Sequence, residues 1–202
     1  MGSSLTRDEI VGIFEEQFKV ETEAAPNLIY KENENFGSTM TLAERMLDAA
    51  LAYWSDFYTI KGVAQAFKIE VAGLDKPLIG EFDLVTQDGR DACIVDWKTS
   101  ASRWPSGKAE RDLQATVFSY AYLQMHEEVP LFRFDVTTKV KNPVCESHYT
   151  IRGEDSFRRF ELLAVTAQEA IKKGVFLPSE TSFACAECAY KDRCKSWHRK
   201  VR

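Results

Sequence analysis

The chain has 202 residues, 45% hydrophobic and 28% charged, with a net charge of −5. Those proportions describe an ordinary domain with a core to bury, and they exclude a disordered or fibrous chain. No apolar run reaches the roughly 20 residues a bilayer demands, and Met1-Gly2-Ser3-Ser4-Leu5 lacks the basic patch and apolar stretch of a secretory signal. An intracellular, cytoplasmic and reducing setting is expected, with no membrane partner.

The negative balance argues against coating nucleic acid by bulk electrostatics. Charge is unevenly placed, however. Residues 191–202 hold Lys191, Arg193, Lys195, Arg199, Lys200 and Arg202 against Asp192 alone. This tail reads either as a solvated terminus or as a nucleic-acid contact.

Two helices are predicted first, each announced by a Thr-x-x-Glu capping box, Thr6 to Glu9 and Thr41 to Glu44. Ile10, Ile13, Phe14 and Phe18 follow the first at helical spacing, and Leu42, Met46, Ala50, Tyr53 and Phe57 follow the second. From Val63 the texture becomes strand-like: Val63 to Val71, Leu78 to Thr86 and Ala92 to Trp97, with Gln87-Asp88-Gly89-Arg90 as a hairpin turn. A helix is predicted from Ala109 to Met125 with Leu113, Val117, Tyr120 and Ala121 inward. Strands Leu131 to Thr138 and Val144 to Ile151 come next. A last long helix runs from Ser156 to Lys173, with Phe157, Phe160, Ala164, Ala167 and Ile171 on its apolar face and Gly174 as its stop. The order is that of an α/β domain.

Ile94-Val95-Asp96-Trp97-Lys98-Thr99 carries the sharpest chemical signal. Residues two apart on a strand share a side, so Asp96 and Lys98 project together. Antiparallel pairing with Ile79-Gly80-Glu81-Phe82-Asp83 brings Asp83 toward Asp96. Two carboxylates beside an ammonium are costly in a partly buried site unless a cation binds, and Mg²⁺ or Mn²⁺ suits such oxygens. A surface ion pair at a strand end is the plain alternative for Asp-x-Lys taken alone.

Glu70, Gly80-Glu81-Phe82-Asp83, Asp96-Trp97-Lys98-Thr99-Ser100 and Gln114 on a following helix together resemble the RecB-type branch of the PD-(D/E)XK nuclease superfamily, over about residues 60 to 198. That branch includes phage exonucleases and CRISPR-associated exonucleases. The resemblance implies a restriction-endonuclease-like core, a central mixed sheet flanked by helices. It implies Asp83 and Asp96 as ligands of Mg²⁺ or Mn²⁺, Glu70 as a further acidic member, Lys98 as the catalytic lysine, and Gln114 as a contact to substrate or to that lysine. The implied activity is hydrolysis of DNA phosphodiester bonds, by an exonuclease or single-strand nuclease of repair, recombination or CRISPR-type processing. Phe118 stands where the branch usually has tyrosine, with Tyr120 two residues on.

Cys185-x-x-Cys188-x5-Cys194 is too tight for an ordinary intracellular disulfide framework and points to metal. The branch often ends in such a trio, which holds a 4Fe-4S cluster with a fourth cysteine near the N-terminus; here no cysteine precedes Cys93. His198 would complete a Cys3His zinc set, Cys145 is another candidate, and three reduced thiols remain a third reading. Cys93 reads as a buried small hydrophobe. Gly37 is followed by Thr41 where the branch carries a histidine, and the three histidines His126, His148 and His198 all lie downstream. The expectation is one nuclease domain, 1–202, with N-terminal helices at 1–60, a catalytic core at 61–152 and a C-terminal helix with Cys-rich tail at 153–202. It is expected to be a fragment of a longer protein, with a helicase or other domain as neighbour.

Trp104 and Arg103, in a Pro- and Gly-containing loop, are candidates for stacking on unpaired bases, whereas Trp97, opposite in direction to Asp96 and Lys98, is expected in the core. Lys108 and Arg111 are candidate phosphate contacts. The expected partner is DNA, single-stranded or with free ends. The competing expectation is a weakly active or inactive DNA-binding or assembly module organised by the cysteine-bound metal.

Overall fold

The computed structural model describes residues 5–25, 27–30, 32–54, 59–89, 91–179, 182, 184, 185 and 188–196. Helix α1 spans Arg7–Glu23 behind the Thr6–Glu9 capping box. Helix α2 spans Phe36–Tyr53, and its cap is Asn35, whose side chain accepts from the Ser38 N–H while the Ser38 hydroxyl accepts from the Asn35 N–H. The Thr41–Glu44 box therefore lies inside the helix, where the Thr41 hydroxyl donates to the Gly37 carbonyl instead. An earlier box had already taken up the free N–H groups.

Strands β1 (Thr59–Ile69), β2 (Leu78–Asp88) and β3 (Asp91–Ser100) form an antiparallel meander. The chain then crosses over through the short α3 (Lys108–Arg111) and α4 (Leu113–His126) to β4 (Leu131–Thr138), which pairs parallel to β3. Strand β5 (Cys145–Ile151) returns antiparallel, and α5 (Glu154–Lys172) and α6 (Lys191–Lys195) follow. The sheet order is β1-β2-β3-β4-β5, a five-stranded mixed sheet in an α/β fold. Among the described residues no helix is long and apolar enough to cross a membrane.

The two faces of the sheet are covered differently. Phe67, Phe82, Ile94, Phe132, Phe134 and Tyr120 form the core with Phe157 and Phe160 of α5. On the other face α2 lies over β4 and β5, and a groove of about 390 Å³ runs between Phe14, α2 and the ends of β3 and β4. Burial on both faces explains why Ala92 to Asp96 is buried without alternation.

Three sequence expectations change. The helix expected from Ala109 to Met125 is broken at Asp112, which caps α4 by accepting the Gln114 N–H at 3.0 Å. Leu113, at the open first turn, is therefore exposed, and so is Ile171 on the last turn of α5. The packing stops before those helix ends.

Candidate active site

The site forms where the β-ladder fails. Pairing of β2 with β3 runs from Asp88–Asp91 to Leu84–Val95 and ends one residue short of Asp83 and Asp96. On the other side, pairing of β2 with β1 passes from Val63–Leu84 to Gln65–Phe82, skipping Asp83 and its opposite number Ala64. Ala64 holds a left-handed backbone, φ 47°, a conformation that costs a residue with a Cβ about 1–2 kcal/mol. Released from both ladders, Asp83 turns its carboxylate into the gap, where Oδ2 accepts the Trp97 N–H at 3.0 Å. The local irregularity thus aims one carboxylate at the next strand.

Asp96 meets it from β3. Its side chain is 1% exposed; Oδ1 accepts a 2.6 Å hydrogen bond from Gln114 Nε2, and Oδ2 lies 2.5 Å from Lys98 Nζ. Despite that ion pair, Oδ2 is buried without a well-directed hydrogen bond. Burial pushes the Asp96 carboxyl above the usual carboxylate range, Asp83 and Asp112 push it further, and Lys98 opposes them. An ionised carboxylate in this position is held at a cost, and a further cation would relieve it.

The donor set fits a hard divalent ion. Asp83 and Asp96 come from adjacent strands at the point of splay, and the buried Oδ2 of Asp96 has only the Lys98 ammonium beside it, without a well-directed hydrogen bond. Among the described residues no three His, Cys, Asp or Glu side chains gather into a metal-holding group. Two carboxylates with the remaining positions left to water and phosphate oxygens is a common arrangement for Mg²⁺. Glu70 does not join them. It stands exposed beyond the end of β1, six residues from Ala64, or about 20 Å along a strand.

Gln114 touches Asp96 rather than Lys98, so it acts on the buried carboxylate. Two supporting residues had no part in the sequence reading. Asp112 caps the helix that carries Gln114, a role its position just before the apolar run signals. Arg152, buried, spans the α3–α4 break: Nη2 donates to the Ala109 and Asp112 carbonyls, both at 2.9 Å, Nε to the Thr116 hydroxyl at 2.8 Å, and Nη1 to the Thr150 hydroxyl. No local pattern marks such a residue, because its partners at the helix break, Ala109, Asp112 and Thr116, are distant in sequence.

The aromatic residues exchange their expected places. Trp104 packs on Phe134 and His148, and Lys108 Nζ sits 4.0 Å from the centre of its ring. Trp97 is half-exposed beside Trp54, 5.2 Å between ring centres. Arg103 is exposed and paired with Glu146 at 2.7 Å. Arg111 is exposed on α3.

Cys185, Cys188 and Cys194 line one cavity of about 270 Å³ with Ser179, Lys191 and Lys195. All three are free thiols, and Cys185 Sγ contacts the Ser179 carbonyl at 3.1 Å. They share a cavity, and among the described residues they do not close into a metal-holding set. Cys93 and Cys145 are buried on the sheet, and His198 lies outside the described residues.

A family model described as the PD-(D/E)XK nuclease superfamily matches residues 4–195. Among solved structures, a candidate exonuclease from Eubacterium rectale aligns with 93% of this chain and 76% of its own, at 13% identity and a TM-score of 0.49. The protein SSO0001 aligns with 95% of this chain and 98% of its own, also at 13% identity and a TM-score of 0.49. No curated protein matches this sequence.

Proposed function

The chain belongs to the PD-(D/E)XK nuclease superfamily, and on that premise we propose that it hydrolyses DNA phosphodiester bonds with Mg²⁺ or Mn²⁺. We read its substrate as DNA that is single-stranded or has free ends, met in repair, recombination or CRISPR-type processing. The observation that carries the reading is the convergence of Asp83, Asp96 and Lys98 at the splay of β2 and β3, with the Asp96 carboxylate buried between Gln114 and the Lys98 ammonium.

A divalent cation held by Asp83 and Asp96 would neutralise phosphate charge and lower the pKa of a bound water. The chain's own residues do the rest. Lys98, partly open to solvent and beside Asp96, directs its ammonium to the phosphate oxygens and orients the attacking water. Gln114 fixes the rotamer of Asp96 by holding Oδ1. Asp112 and Arg152 hold the start of α4 so that Gln114 stays within reach.

The cysteine trio is read as a 4Fe-4S site whose fourth ligand comes from elsewhere, with zinc as the lesser option. The shared cavity supports it, and iron content with visible absorbance after anaerobic purification tests it.

The enzymatic reading is tested by digesting end-labelled single-stranded DNA with Mn²⁺, comparing the parent with Asp96→Ala and Lys98→Ala. Cleavage by the parent and its loss in both variants is expected. Binding by the parent without any cleavage would instead favour an assembly module.

A further inference from the structure

On the outer side of α4, away from the carboxylates, a cavity of about 490 Å³ opens between α3, α4 and α5. Its lining is cationic: Arg111, Arg152 and Arg159 against Glu110 alone. Arg111 and Arg159 are exposed, and neither makes an ion pair among the described residues, whereas the adjacent Arg158 is already engaged by Glu154. Arg152 forms the buried floor. Its hydrogen bonds all go to neutral hydroxyl and carbonyl oxygens, with Asp112 and Glu110 as the carboxylates that act on it through space. A buried guanidinium with no directly bonded counter-ion leaves positive potential in the pocket above it. The walls add Leu113 and Leu163, 53% and 45% exposed, apolar surface suited to a sugar or base edge.

The pocket adjoins the catalytic centre through a single helical turn. Leu113 lines it, and the next residue, Gln114, bonds Asp96. Across the sheet, β5 lies two strands from β3, roughly 10 Å. Arg111 stands three residues before Gln114, so the rim of the pocket belongs to the same α3–α4 segment that meets Asp96.

We propose that this arginine pocket is a phosphate subsite that grips the DNA strand a few nucleotides from the bond being cut. The assignment rests on the nuclease reading and adds to it a sequence-independent grip, since guanidiniums on phosphate carry no base information. Arg111 and Arg159 make the contacts, and Arg152 supplies the fixed positive floor.

The test is the salt dependence of binding. A fluorescein-labelled oligothymidylate is titrated onto Asp96→Asn protein in Ca²⁺, and the association constant is measured across a range of KCl concentrations. Each phosphate neutralised on a single strand contributes about −0.7 to the slope of log K against log salt. Combining Arg111→Ala with Arg159→Ala is expected to flatten that slope by about 1.4, while Arg158→Ala leaves it unchanged. An unchanged slope in the double variant, an equal loss with Arg158→Ala, or no oligonucleotide binding by the Asp96→Asn parent overturns the subsite. The first two outcomes leave metal-dependent cleavage untouched, and cleavage is read separately on the Asp96 and Lys98 variants.

Discussion

Gln114 and Asp96 are joined by a 2.6 Å hydrogen bond that ties the first turn of α4 to a carboxylate buried in β3. The bond crosses from the covering layer to the sheet, so the helix position and the carboxylate rotamer are set together.

Removing that bond is predicted to affect turnover more than substrate binding. A hydrogen bond to a charged group contributes about 1.5–3 kcal/mol, or roughly tenfold to a hundredfold in rate. Gln114→Ala should lower kcat by that factor with KM little changed, as steady-state cleavage of a labelled oligonucleotide would record. A rise in KM alone would mean that Gln114 contacts substrate instead.

Asp96 itself should be a source of instability. Burial raises its folded-state pKa above the unfolded value, so the native form binds the proton more tightly. The penalty is absent below the unfolded carboxylate pKa and develops as pH rises from that value through the folded one. Asp96→Asn, which carries no charge, should therefore raise Tm at neutral pH, each kcal/mol recovered appearing as roughly 2–4 °C, and the gain should vanish in acid. Added Mn²⁺ should raise the Tm of the parent and leave that of Asp96→Asn unmoved. Differential scanning calorimetry across pH measures both.

Gly80 is required for space. It sits opposite Phe67 across the β1–β2 pair, and a Cβ there would lie 2.4 Å from the ring, which is itself wedged against Phe82 and Phe118. Because the ring has nowhere to go, Gly80→Ala should destabilise the fold by about 1–3 kcal/mol in urea unfolding. A neutral result would show that the aromatic cluster is loosely packed.

Arg152→Met should act on both stability and rate. It strands the Ala109 and Asp112 carbonyls and the Thr116 hydroxyl in a buried place, at about 1–3 kcal/mol for such unsatisfied groups. The start of α4 then loosens, so kcat should fall, and it should fall much less when Gln114→Ala is already present. Independent effects in that double-mutant cycle would separate Arg152 from the carboxylate.

The strand chemistry was legible because Asp96 and Lys98 need only the two-residue repeat of a strand to share a side. The approach of Asp83 to Asp96 followed from a hairpin. Its cause, Ala64 at positive φ, leaves no mark in composition. Glu70 could be placed only by knowing where β1 ends, at Ile69, which leaves it beyond the strand. The break at Asp112 was hidden because apolar spacing continues across it, although aspartate is a strong cap residue. Trp97 and Trp104 exchanged places for a non-local reason: Trp104 is covered by Phe134 and His148, which come from strands distant in sequence. Gly80 was visible as a motif residue, but the ring that demands it comes from the neighbouring strand.

A crystal soaked in Mn²⁺ tests the central claim most directly. The account predicts one anomalous peak between Asp83 and Asp96, about 2 Å from an oxygen of each, with Lys98 Nζ still beside Asp96. An empty gap, with the two carboxylates turned apart and Lys98 in bulk solvent, would contradict it.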